Sequence, residues 1–206
     1  MSQTIHVHPK DPQRRLIARA VESLLAGGVI VYPTDSSYAL GCALGEKGAL
    51  ERIRRIRQTE RQHEFTLVCR DLSELATYAR VENWAYRMMR ALTPGPYTFI
   101  LRATGEVPKR VQDRRKTIGI RVPANAIARQ LVEQLEGPLM SSTLLLPGED
   151  LPLTDPDEIA DRVGKQVDVI VDGGAGGLEP TTVLDLSGGS VVIVRRGLGD
   201  LSAFED

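Results

Sequence analysis

Two periodicities alternate along the chain. Apolar runs of strand length, GVIVY (28–32), FTLVC (65–69), YTFIL (97–101) and VDVIV (167–171), are separated by stretches in which apolar residues recur every three to four positions, the pattern of an amphipathic helix. TIHVH (4–8) reads as the first strand. Leu16, Ile17, Ala20, Val21, Leu24 and Leu25 then form one helical stripe; Asp11 is its expected cap, Pro12 its first position and Gly27-Gly28 its end. YALGC (38–42) is a strand, and a helix over 47–57 turns Leu50, Ile53 and Ile56 inward. Asp71 and Asn83 are expected to cap two more helices, with stripes Leu72, Leu75, Ala76 and Trp84, Met88, Leu92, the second broken by TPGP (93–96). TIGIRV (117–122) and PLMSST (138–143) are strands around a helix that begins at Asn125 and buries Ile127, Leu131, Val132 and Leu135. Asp155-Pro156 with Glu158 opens a last helix. TTVLDL (181–186) and VVIVR (191–195) follow, with GGAGG (173–177) and SGG (187–189) as turns.

Strands separated by helices predict an α/β protein, and the consecutive strands at the end predict hairpins. The expected fold is one domain over 1–206, a mixed twisted sheet with flanking helices. PGEDLPLTDP (147–156) reads as a surface loop within it rather than a linker.

Composition narrows the chemistry. Aromatic residues are only 4% of the chain, so the core is built from Val, Ile, Leu and Ala, and an interface of stacked aromatics for single-stranded nucleic acid is disfavoured. Cys42 and Cys69 stand outside any CxxC or Cys/His cluster, which argues against a disulfide framework and structural zinc. With no signal-type or membrane-length apolar run, the expectation is a soluble cytoplasmic protein.

The net charge is −1, but it is segregated. Residues 102–121 hold seven bases against two acids, a net +5, whereas 149–206 hold thirteen acids against four bases, a net −9. Such segregation points to a polyanion bound on one face. The arginines of RIRRIRQTER (52–61) place Arg54, Arg57 and Arg61 on one helix face with Arg55 beside them. That stripe is either a solvated face or a set of guanidinium forks for phosphate. KRVQDRRK (109–116) is a second cluster. Together Arg54, Arg55, Arg114 and Arg115 form the candidate outward face for double-stranded RNA or tRNA, read through shape and phosphates.

Motif searches remove other classes. There is no GxxxxGK[ST] loop, and no helix is expected after GGAGGLEPTT to hold a pyrophosphate on its amides. His6 and His8 share a strand face without a third metal ligand nearby, and His63 stands alone without a nucleophile elbow. YPTDSSY (32–38) directly follows a buried strand, where α/β folds place ligand groups. Its Thr34, Asp35, Ser36 and Ser37 either present polar groups to an anion or amino acid, or build a turn.

Taken in order, YPTDSSYALGC, RIRQ, FTLVCRDLSEL, TPGPYTFIL, KTIGIRVP and PTTVLDL resemble the YrdC-like family, in wording closest to its YciO branch. The resemblance covers nearly all of 5–200. It implies a twisted α/β fold around a large basic cavity. The family's best-known members are L-threonylcarbamoyl-AMP synthases, which join L-threonine, bicarbonate and ATP with Mg²⁺ on the route to threonylcarbamoyladenosine in tRNA; double-stranded RNA binding is also attributed to the family. Carried onto this chain, it implies substrate contacts from Thr34, Ser36, Arg121, Thr181 and Thr182. It implies contacts to ATP or AMP from Arg57, Thr117, Thr143 and Arg195. The synthases carry Lys-x-Arg and Ser-x-Asn pairs where this chain has Arg57-x-Thr59 and Thr143-x-Leu145, and usually Gly where it has Ala39. Thr59 lacks a charge and Leu145 lacks every polar side-chain atom. These departures imply weak or altered synthase activity on an inherited fold.

Overall fold

The computed structural model describes residues 2–58 and 65–204; Thr59, Arg61 and His63 lie outside them. Its strands are β1 (Gln3–His6), β2 (Ile30–Pro33), β3 (Tyr38–Ala43), β4 (Thr66–Val68), β5 (Ala79–Arg80), β6 (Tyr97–Ala103), β7 (Thr117–Arg121), β8 (Leu139–Thr143), β9 (Val169–Asp172), β10 (Thr182–Asp185) and β11 (Val192–Arg195). Its helices are α1 (Arg14–Leu25), α2 (Lys47–Arg57), α3 (Leu72–Tyr78), α4 (Asn83–Leu92), α5 (Ala126–Leu135) and α6 (Pro156–Val163). A 3-10 turn covers Lys109–Val111.

All the strands join one mixed sheet in the order β1-β9-β2-β3-β8-β4-β7-β6-β10-β11, with β5 paired to β6 beside that path. Strand side chains alternate between the two faces. Along β2 and the residue before it, Val29 and Val31 enter one core and Ile30 and Tyr32 the other. The first core continues along the sheet through Leu40, Leu67, Phe99, Ile120, Met140 and Leu184 and takes in Leu50, Ile53 and Ile56 of α2. The second core is smaller. There α1 and α5 pack on each other with Ile17, Leu24, Ile127 and Leu131, over the β1-β9-β2 end of the sheet. The same face of β4, β7, β6 and β10 contributes almost nothing to that core, and this stretch of sheet becomes the floor of the cavity.

Local signals hold where the chain itself supplies the partner. Asp71, Asn125 and Asp155 accept from the backbone N–H of Glu74, Ala128 and both Asp157 and Glu158, satisfying amides that a helix start leaves unpaired. Two expected caps fail. α1 begins at Arg14 behind Gln13, which makes no side-chain cap bond, and the Asp11 amide donates to His8 Nδ1 instead. α4 begins with Asn83 itself, and packing against the sheet buries Ala85 and Met89 while Trp84, Met88 and Leu92 stay half-buried. Ala76 is exposed, and the two-residue strand β5 was not expected.

The largest correction concerns GGAGG. β10 and β11 form the expected hairpin, but β9 pairs in parallel with β1 and β2 at the other end of the sheet. Residues 173–181 are therefore a crossing segment rather than a tight turn. Glycines mark where a backbone is permissive, not where it leads. Gly177 is needed for closeness, since a Cβ there would come within 2.1 Å of the Ser36 carbonyl oxygen.

Candidate functional site

A cavity of about 480 Å³ lies on the uncovered part of the sheet. Its floor is made by alternate residues of neighbouring strands, which the register places side by side. Ala39 faces Thr143, Thr66 lies between Ser141 and Gly119, Gly119 faces Ile100, and Thr98 faces Val183. Nearly all are small or hydroxylic, so the sheet presents a hollow there instead of a core.

Arg57, Arg110, Arg121 and Arg195 line the cavity, together with the carboxylates of Asp113 and Asp150. Arg57, at the end of α2, donates from Nη1 to Ser142 Oγ, and burial lowers its pKa. Arg121 ends β7 and forms a buried ion pair with Asp35, whose other oxygen accepts from the Ala124 amide. Arg110 donates from Nη2 to the Gly45 carbonyl. The buried Nε atoms of Arg57, Arg110 and Arg121 have no protein partner. A buried guanidinium N–H without an acceptor is costly, and three such groups lie on arginines that line this one cavity. Arg195 ends β11, where its Nε donates to the Thr181 carbonyl and its Nη2 to Thr181 Oγ1.

Of the two readings of YPTDSSY, the turn is seen directly. Thr34 Oγ1 donates to the Ser37 carbonyl and accepts from the amides of Ser36 and Ser37, so it builds the turn. Thr34 and Ser37 also line the cavity. Ser36 is buried behind them, with its Oγ 3.0 Å from Thr34 Oγ1, and does not line it. Thr117, Thr143 and Thr181 line it. Thr182 does not, because strand alternation turns it to the opposite face, where its hydroxyl donates to Gly199 O and accepts from Gly197 N. On the same face, where the floor meets the second core, Tyr32 donates to Ser141 Oγ at 2.7 Å, and burial raises the phenol to about 12, which keeps it a neutral donor.

The outward RNA face is not continuous. Arg54 points inward, 8% exposed, with Nη1 on Glu51, Nη2 on the Arg110 carbonyl and its guanidinium 5.5 Å from the Phe65 ring centroid. A charge cluster read from helical phase ignores the wall that packs against it, and here the segment around Arg110 is that wall. Arg55 and Arg114 are exposed. Arg115 is exposed too, but Asp113 and Asp185 hold it. Sequence reasoning missed Arg110 as a cavity residue and Asp35 as the partner of Arg121, since both depend on non-local contacts.

The family model Sua5/YciO/YrdC, described as "Telomere recombination", matches residues 22–197. YciO of Escherichia coli K12 is 57% identical over 205 residues, 99% of this chain and all of that one. The chain belongs to the YrdC-like family, in its YciO branch. The crystal structure of E. coli YciO superimposes on this YciO-branch chain with a TM-score of 0.95 over 99% of it and all of that chain, at 56% identity. A threonylcarbamoyl-AMP synthase of Stenotrophomonas maltophilia is 33% identical over 84% of this chain and 95% of its own. The structure of P. abyssi Sua5 complexed with L-threonine has a TM-score of 0.88 at 25% identity, covering 95% of this chain and 58% of that one.

Proposed function

We propose that this chain binds an adenine nucleotide in the sheet cavity and carries a weak or altered form of threonylcarbamoyl-AMP synthesis. One observation supports this above the others: four arginines against two carboxylates line a single cavity of about 480 Å³, and three of the four keep a buried Nε without a protein partner. Guanidinium groups are suited to phosphate and carboxylate oxygens, which they bind in a fixed fork. The kinship with the S. maltophilia synthase and with Sua5 complexed with L-threonine supports this substrate class.

In this reading Arg57, Arg121 and Arg195 meet the phosphates and the carboxylate, and the Thr34 turn meets the amino acid. Arginines set around the departing pyrophosphate stabilise charge as it develops, so no side-chain nucleophile is required. Among the described residues no group of three or more His, Cys, Asp or Glu converges on one point. Magnesium would therefore arrive on the triphosphate, which is its usual mode of binding. Leu145 lines the cavity where the synthases carry a polar amide, and it is the basis for expecting slow turnover.

Titration calorimetry and thermal shift with ATP test the reading. Binding in the micromolar to millimolar range is expected. No heat and no change in Tm at about 10 mM ATP overturns it.

A further inference from the structure

The segment 173–181 leaves β9 near one end of the sheet and reaches β10 near the other, with six strands between them. At about 4.8 Å per strand the span of a flat sheet is on the order of 34 Å, and the ten residue steps from Asp172 to Thr182 reach about 33–36 Å when fully extended. Through the intervening pairings β9 and β10 run in the same direction, so the segment also passes from the C-terminal end of β9 to the N-terminal start of β10, which a curved sheet allows. It is a strap across the sheet. Tyr38 pins its start by donating from Oη to the Gly174 carbonyl and accepting from the Gly173 amide. The Gly176 amide then donates to the Thr154 carbonyl at 2.8 Å, which ties the strap to the loop after β8.

From that tie both segments run into the cavity wall. Leu178 follows Gly176 by two positions and Pro152 precedes Thr154 by two, and both line the cavity with Leu151 and Leu145. Leu178 is 50% exposed and Leu151 59% exposed. Large apolar side chains left open at the edge of a polar pocket mark a surface meant to be covered by a ligand.

Resting on the nucleotide reading above, we propose that Leu178 on the strap and Leu151 on the loop are the two jaws that hold the nucleobase. They hold it by apolar contact alone, so the site is nearly indifferent to which purine it takes. Contact with two aliphatic faces depends on ring area, not on the pattern of donors and acceptors at the ring edge. Discrimination between adenine and guanine needs fixed polar groups at that edge, because rejection comes from buried groups left unpaired. Asp150, beside Leu151, is exposed, so water competes for its carboxylate.

The test is calorimetric titration of the whole chain with ATP, GTP and inorganic tripolyphosphate, in the wild type and in Leu151→Ser, Leu178→Ser and the double variant. In the wild type ATP and GTP should bind within about fivefold of each other. The double variant should lose about 10- to 100-fold for both nucleotides, about 1.4–2.8 kcal/mol, with each single variant between. Tripolyphosphate affinity should stay within about twofold throughout, which also shows that the variants are folded. A purine preference above about 50-fold, unchanged nucleotide affinity in the double variant, or an equal loss for tripolyphosphate each overturns the proposal while leaving nucleotide binding in place. Failure of the wild type to bind either nucleotide overturns both readings.

Discussion

Arg121 at the end of β7 and Asp35 in the turn between β2 and β3 form an ion pair whose side chains are only 9% and 11% exposed. The pair joins β7 to the turn between β2 and β3, with β8 and β4 lying between them in the sheet. It also fixes the guanidinium with its Nε edge still unpaired.

Removing one partner of this pair should be severe. Asp35→Ala leaves a buried charge uncompensated, at a cost of about 3–5 kcal/mol, and Tm should fall by on the order of 10 °C. Replacing both residues by Leu should recover much of that loss, because the desolvated charge goes with its partner. Urea unfolding of the two variants checks this, and a double variant as unstable as Asp35→Ala would contradict it.

Leu145→Asn should raise synthase turnover. An amide at this position of the cavity wall can add one hydrogen bond to the reacting groups, about 0.5–1.5 kcal/mol, or about 2- to 13-fold in rate. Pyrophosphate release from ATP in the presence of threonine and bicarbonate is the measurement. No increase would show that Leu145 does not limit the reaction.

Stability should fall steeply in alkali. Burial raises the Tyr32 and Tyr38 phenols from 10.0 to about 12 and the Cys42 thiol from 9.0 to about 12, and it raises the Cys69 thiol as well. In each case the unfolded chain loses its proton first. The stabilisation is therefore complete below pH about 9 and falls first through the cysteines and then the tyrosines; the share of Tyr32, Tyr38 and Cys42 is lost by about 12, and that of Cys69 persists longest. The tyrosinate absorbance contributed by Tyr32 and Tyr38 should appear together with the loss of the circular dichroism signal, in one cooperative step. Because Tyr86 is exposed, the refuting result is tyrosinate absorbance that accounts for all five tyrosines while circular dichroism still reports a folded protein.

The arginines of α2 should separate into two kinds. Arg54→Ala removes contacts to Glu51, the Arg110 carbonyl and Phe65, for a loss of about 2–4 kcal/mol. Arg55→Ala, on an exposed side chain, should stay within about 0.5 kcal/mol. Any double-stranded RNA affinity of this protein should then depend on Arg55 and Arg114. Changing both to Glu should abolish a salt-sensitive shift without unfolding the chain. A shift that survives the change, or is absent in wild type, removes the RNA face.

What the sequence determined by itself was local. The bounds of α2 at 47–57, the caps Asp71, Asn125 and Asp155, and the strand-length apolar runs all follow from residues within a few positions of one another. The motif resemblance added the family and most of the cavity threonines. Only the tertiary structure decided what non-local pairing controls. Strand order carried β9 to the far end of the sheet, so a glycine-rich stretch that reads as a turn became a strap over the site. The small second helical layer left β4, β7, β6 and β10 uncovered on one face, and that gap is the cavity. Arg54 went inward and Thr182 away from the cavity because burial is set by what packs opposite a side chain. Helical phase and strand parity fix only the direction in which each one points.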